Sequence, residues 1–280
     1  MESSPLWMNL TKKMSVPFIK YSGCANDFVL IDNRKLRLSL PTEKIIALCN
    51  RRDGIGADGV ILIEPSQQST CKMRIYNADG GEAEMCGNGI RCVAHFIRMN
   101  GHKENTCSIE SMNRYHDTSW DGDKYTVEMG PPERVCWDFQ LKTYEGEYSA
   151  SFMDTGVPHI VIFVDEVASF PLHQIAPSLR YHETFMPAGA NVNIAKVSDK
   201  EVSVRTYERG VEDETPACGT GATACALAAA KKYGIPSPIK ILLQSGDSLE
   251  ISYAMNAEQI NSVAMTGGCK KVFEGTIPNL

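Results

Sequence analysis

The sequence predicts an α+β fold made of two related halves, and two observations carry that expectation. Short β-branched and aromatic runs outnumber helical ones, and a Cys-Gly-x-Gly block leading into a helix occurs twice. At 280 residues the chain has room for two cores of about 130 residues each.

Taken in order, residues 1 to 15 are polar and unpatterned and read as an N-terminal extension, with Met14 as an alternative start. Folding is expected to begin at the strand-like VPFIKYSG. Further strands are expected at FVLID (28–32), GVILIE (59–64), KMRIYN (72–77), KYTVEM (124–129), IVIFVD (160–165), NVNIAKV (191–197), VSVRTY (202–207) and IKILLQ (239–244). Three helices are expected: 42–52, where Thr42 caps behind Pro41; 88–101, closed by Gly101; and 220–234, closed by Gly234. The GPPE turn at 130–133 marks the boundary between halves.

Bulk composition excludes several classes. The net charge is -6 with no Lys/Arg-rich block, against the basic surface that nucleic acid requires. The longest apolar runs, such as 160–164, fall far short of the ~18 residues needed to cross a bilayer. The first residues lack the apolar core of a secretory signal, so a cytoplasmic location is expected. In that compartment the ten cysteines are free thiols. They form no CxxC pair and no zinc-finger spacing, so no metal site is expected.

The duplication points to chemistry. RIYNADGGEAEMCGNGIRCVAHFI from Arg74 overlays RTYERGVEDETPACGTGATACALAA from Arg205, with twelve residues from Arg to Cys in one copy and thirteen in the other. Each cysteine stands at a helix start, where free N–H groups and the dipole favour an anion, so Cys86 and Cys218 are expected to ionise easily. The adjoining amides can hold a carboxylate. Two such loops face to face would set two thiols on opposite sides of one carbon, as a two-base epimerisation without pyridoxal phosphate requires. No cofactor motif is present. The other cysteines (49, 71, 92, 107, 136, 225, 269) read as buried core residues. Cys24 lies in a Gly/Ala/Asn turn and is left open.

These residues resemble the diaminopimelate epimerases. The matching blocks are ANDFVLID (25–32), RRDGIGADGVIL (51–62), RIYNADGGEAEMCGNGIRC (74–92), PHIVIFVD (158–165), GANVNIAKV (189–197), YERGVEDETPACGTGATA (207–224) and MTGGCKKVFEG (265–275). The resemblance implies two pseudo-symmetric halves, each a curved antiparallel sheet around a central helix. They would be 16–131 with 264–280, and 132–263, with the site in the cleft between them. It implies conversion of LL- to meso-diaminopimelate in lysine and peptidoglycan precursor synthesis, with no cofactor. It also implies Cys86 and Cys218 as the catalytic pair and His159 and Glu208 as the groups supporting them. Asn26, Asn77, Asn191, Glu208 and Arg209 would contact substrate, and Gly87, Asn88, Gly219 and Thr220 would bind carboxylate at the helix starts. The expected partner is a small amino acid; a homodimer is compatible with the sequence, which does not fix the oligomeric state.

Three departures stand out. Val157 replaces an asparagine that grips the distal end of the family's substrate, at a cost of ~1–3 kcal/mol for one lost buried contact. Cys24-Ala25 replaces Leu-Gly, and the 210–219 loop is one residue longer than the common form, with Pro216 in it. Two alternatives follow. One is a racemase of broadened or altered specificity, acting for example on glutamate. The other is a thiol redox or structural protein, which would have no use for the Asn and Arg contacts.

Overall fold

The computed structural model describes residues 15–83, 85–112, 114–256, 259–278 and 280. All but the last residue of the expected N-terminal extension lies outside the described residues. The first half runs β1 (Val16–Gly23), β2 (Asn26–Asp32), α1 (Thr42–Cys49), β3 (Gly59–Glu64), β4 (Cys71–Asn77), α2 (Gly87–Met99), β5 (Thr106–Ser111), β6 (Arg114–Asp121) and β7 (Lys124–Glu128). There follow β8 (Glu133–Lys142), β9 (Glu147–Asp154), β10 (Pro158–Phe163), α3 (Leu172–Arg180), β11 (Asn191–Ser198), β12 (Glu201–Glu208) and β13 (Asp213–Thr215). The chain ends with α4 (Gly219–Tyr233), β14 (Ile239–Leu242), β15 (Ser248–Asn256), β16 (Gln259–Gly268) and β17 (Lys270–Ile277).

Strand pairing repeats the duplication seen in the sequence. From β1 to β7 successive neighbours pair antiparallel, parallel, antiparallel, parallel, antiparallel, antiparallel. The series β9, β10, β11, β12, β14, β15, β16 follows the same order of directions. α1 and α3 occupy the same place in the two series, as do α2 and α4. β16 bonds β15 on one edge and β7 on the other, joining the two series, and β17 pairs with β1.

Each central helix is the core of its series. α2 buries Ile90, Val93, Phe96 and Ile97 among Tyr21, Phe28, Ile61 and Ile75. α4 is buried from Gly219 to Ala230, which its TGATACALAAA run permits because small side chains let strands pack all round it. Gly234, at φ 67, closes it in the left-handed conformation that favours glycine.

Some expectations need correcting. α1 stops at Cys49 rather than 52, because the Asn50 side chain takes the N–H groups of Arg52 and Asp53 and turns the chain. Cys136, read as a core residue, is exposed on β8, and Cys269 is only partly buried. β8 pairs with β9 alone and is mostly solvent-facing, so a cysteine there has nothing to pack beneath.

Candidate active site

The N-termini of α2 and α4 meet at Met265 of β16. A methyl at Gly87 would lie 2.1 Å from Met265 Cε, and one at Gly219 would lie 2.9 Å from Met265 Sδ and 3.6 Å from Asn88 Oδ1. A side chain at either glycine would have to displace Met265. Cys86 and Cys218 are the N-cap residues, each in extended conformation. The two thiols thus sit at the abutting positive ends of two helices.

Cys86 is held from the first half. The Gly89 N–H reaches Sγ at 3.4 Å, and the thiol donates to Asn26 Oδ1 at 3.6 Å. Asn26 begins β2 directly after the hairpin turn Cys24-Ala25, whose φ values of 54° and 61° fit a type I′ turn. Both are left-handed conformations of non-glycine residues, a local strain that fixes where Asn26 points. Asn26 Nδ2 donates to Asp58 Oδ2 at 2.9 Å, and Arg51 bridges Asp58 and Asp27. Cys24 is buried and accepts from Arg91 at 3.3 Å.

Cys218 is held from the second half by a buried relay. Its Sγ lies 3.4 Å from Thr220 Oγ1, which lies 2.9 Å from His159 Nε2. Asn193 Nδ2 donates to Ile160 O at 2.8 Å and approaches His159 Nδ1 at 3.1 Å, while Asn193 Oδ1 accepts from Thr206 at 2.9 Å. With Asn193 donating into Nδ1, the proton of a neutral His159 belongs on Nε2 and points to Thr220. His159 stays neutral in this site, because burial and the nearby Arg209 push it down to about 3.

The remaining candidates divide. The charge of Glu208 acts on both thiols, and its own carboxyl is held above the usual range by burial and by the charge of Asp58; Thr215 donates to it at 2.8 Å. Asn191 donates to Pro158 O at 2.9 Å and accepts the Arg209 N–H at 2.7 Å. The Arg209 guanidinium reaches Ala188 O at 3.5 Å. Asn77 ends β4, exposed and opposite Gly59, one residue from Asp58. Its side chain makes no hydrogen bond among the described residues. Thr155, whose hydroxyl donates to Thr220 O at 2.9 Å, and Asn193 and Thr206 were not singled out from the sequence. The signal for Asn193 was a second polar residue two positions after Asn191, on the same face of the strand's buried first part.

The ready ionisation expected of the thiols is overturned. Burial pushes Cys86 up to about 11 and Cys218 up to about 12, and the Glu208 charge adds to both. Hydrogen bonds from Gly89 to Cys86, and from Thr220 and Gly221 to Cys218, pull in the expected direction without offsetting desolvation.

These shifts fix the pH dependence of stability. Cys86, Cys218 and Cys71 (about 12) stay protonated in the fold above 9.0, where an unfolded thiol ionises, so stability falls as pH rises past that value. His159 stays neutral in the fold below 6.5, where an unfolded imidazole charges, so stability also falls from there towards pH 3. Denaturant midpoints measured across pH should peak between these limits; a midpoint still rising at pH 10 would contradict the assignment.

The fold is shared with several solved structures. A PhzF-family phenazine biosynthesis protein of Bacillus anthracis superposes with a TM-score of 0.73 at 12% identity, over 94% of this chain and 99% of that one. A hydroxyproline epimerase of Agrobacterium vitis, with trans-4-hydroxy-L-proline bound, superposes with a TM-score of 0.66 at 15% identity, over 94% and 91%. At such identities the likeness concerns the fold alone. Sequence relatives carry more. The family model for diaminopimelate epimerase matches residues 18–135 and 151–272. The diaminopimelate epimerase of Aquifex aeolicus is 38% identical over 275 residues, covering 93% of this chain and 97% of that protein. That of Archaeoglobus fulgidus is 35% identical over 279 residues, covering 94% and 97%. The chain is an isomerase and belongs to the diaminopimelate epimerase family.

Proposed function

We propose that the protein converts LL-diaminopimelate to meso-diaminopimelate by a two-base mechanism in which Cys86 and Cys218 serve opposite faces of the α-carbon. The observation that carries this reading is the abutment of two cysteine-capped helix starts around Met265, with the charge of Glu208 acting on both thiols. One sulfur, as thiolate, takes the α-proton; the other, as thiol, gives its proton to the opposite face. The amides of Gly87-Asn88 and Gly219-Thr220 bind the α-carboxylate and stabilise the charge that grows on it as the proton leaves.

Both thiols rest protonated, as the proton-donating role requires. The base role requires one of them to give up its proton when substrate binds, because only the thiolate abstracts the α-proton. Neutral His159, through Thr220, and Glu208 tune the pair. The reading takes 16–131 with 264–280 and 132–263 as two bodies closing on the substrate, in a cytoplasmic enzyme that needs no pyridoxal phosphate.

Val157 precedes the Pro158–His159 segment and offers no side-chain hydrogen bond to the substrate's distal end. Discrimination there would be weakened by the ~1–3 kcal/mol that one polar contact provides. The test is inversion of LL-diaminopimelate, meso-diaminopimelate and L-glutamate by the purified chain, under reducing conditions and without pyridoxal phosphate. Inversion of diaminopimelate alone supports the assignment, and comparable turnover of glutamate replaces it with a broad racemase. Inactivity on all three rejects both.

A further inference from the structure

Arg91 is a buried cation with no anion beside it. Its side chain is 0% exposed, its Nε has no hydrogen-bond partner, and among the described residues no carboxylate lies within ion-pair distance. It also stands near the N-terminal, positive end of α2, where a cation is disfavoured. A group so placed is costly to keep unless it serves something else.

The other half shows what Arg91 is not needed for. Arg91 is the fifth residue after Cys86, and Thr223 is the fifth after Cys218. Arg91 Nη1 donates to Gly87 O at 3.4 Å, and Thr223 Oγ1 makes the matching bond to Gly219 O at 3.0 Å. A hydroxyl therefore suffices to tie down the first turn. The guanidinium has further contacts instead: Nη2 donates to Asn88 Oδ1 at 2.7 Å and to Cys24 Sγ at 3.3 Å.

From Arg91 the hydrogen bonds run in one direction. Arg91 fixes the Asn88 carbonyl, so Asn88 Nδ2 turns to Asn26 Oδ1 at 3.5 Å. Asn26 Nδ2 donates in turn to Asp58 Oδ2 at 2.9 Å, and Arg51 holds the other Asp58 oxygen at 2.6 Å. Reversing either amide would set a carbonyl against the Asp58 carboxylate or an NH2 against the Arg91 guanidinium, so charges at the two ends determine both orientations. The carbonyl that results at Asn26 is the one accepting the Cys86 S–H.

We propose that Arg91 is a positioning residue for the reaction: with Asp58 it polarises and orients the Asn88–Asn26 amide chain that holds Cys86, and it supplies the buried positive charge behind that thiol. The proposal deepens the two-thiol reading, since it assigns how one of the two sulfurs is set.

Its test is the alkylation rate of Cys86, with Cys218 as internal control, read by peptide mass spectrometry on the full chain at pH 8 with iodoacetamide. The variants are Arg91→Met, Arg91→Lys and Asp58→Asn, alongside thermal midpoints and kcat and KM for LL-diaminopimelate. Removing the charge in Arg91→Met should slow Cys86 by about fivefold or more while Cys218 stays within about twofold, because thiolate is the reacting form. Arg91→Lys, which keeps the charge, should recover most of the rate. Asp58→Asn should shift Cys86 the other way, since removing that negative charge favours the thiolate and relaxes the hold on the Asn26 NH2. kcat of Arg91→Met should fall about tenfold or more with KM little changed, and the midpoint should hold or rise because an unpaired buried charge is gone.

A merely structural arginine would instead loosen the site, lower the midpoint and speed both thiols. That result, or an unchanged Cys86 rate, overturns the proposal. Should Arg91→Met fail to fold, the opposite-signed Asp58→Asn shift decides alone: its absence rejects the oriented chain. Since alkylation does not depend on turnover, an enzyme inactive on diaminopimelate with these rate changes would reject the proposed function and leave this inference standing.

Discussion

Alanine at Cys86 or at Cys218 is expected to lower inversion of LL-diaminopimelate by roughly 10²–10⁴-fold, the range associated with losing one positioned acid or base. Each thiol is anchored by its own half, Cys86 by Asn26 and Gly89, Cys218 by Thr220 and, beyond it, His159. Neither can swing over to cover both faces. Each variant should therefore still wash deuterium into the α-position of one stereoisomer, the one whose α-hydrogen faces the surviving sulfur, and the two variants should choose opposite isomers. NMR of both isomers in D2O reads this directly. Inversion within about tenfold of wild type in either variant would mean that the second base is another group.

Gly221→Ala is expected to be the most damaging single methyl in the site. The added Cβ would lie 2.3 Å from Asn193 Oδ1 and 3.3 Å from both His159 Cε1 and Thr206 Oγ1. Asn193 cannot retreat, because it is itself fully buried and its amide is held by Thr206, Ile160 and His159. Overpacking of this kind costs about 1–3 kcal/mol, or roughly 2–4 °C of melting temperature per kcal/mol in a chain somewhat smaller than this. The displaced His159 should also break its contact with Thr220, so kcat should fall along with the midpoint. Gly87→Ala is the control. Its methyl meets the flexible end of Met265, which can move aside, so the midpoint should fall less. Equal thermal midpoints for Gly221→Ala and wild type would contradict the buried relay.

The sequence made the central elements legible because they carry the strongest patterns. β3 and β4 and the two cysteine-capped helices were expected close to where they lie, since buried strands are apolar runs and Gly234 is a sharp helix stop. β5, β6, β9, β13, β15 and β16 were not anticipated, and neither were β8 and β17. The last two are largely solvent-facing: β17 has little alternation to read, while in β8 the alternation Trp137-Asp138-Phe139-Gln140-Leu141-Lys142 was present and went unread. α3 was missed because Pro177 lies inside it and breaks the helical signal. The duplicated cysteines were readable as a site, but the ionisation of their thiols was not. Helix position is visible in sequence, whereas the burial that outweighs it depends on β16 closing Met265 over both helix starts. The Arg91–Asn88–Asn26–Asp58 chain was equally hidden, because it joins the β1–β2 turn, the segment before β3 and α2 across more than sixty residues of sequence.

The central claim, two thiols acting on opposite faces, is tested most directly by the early time course of wild-type enzyme on LL-diaminopimelate in D2O. The meso product formed first should carry solvent deuterium at the inverted carbon while the remaining LL substrate is still undeuterated, because the proton delivered comes from a different sulfur than the one that took it. Product that keeps the original hydrogen would show a single base acting on both faces and would contradict the account.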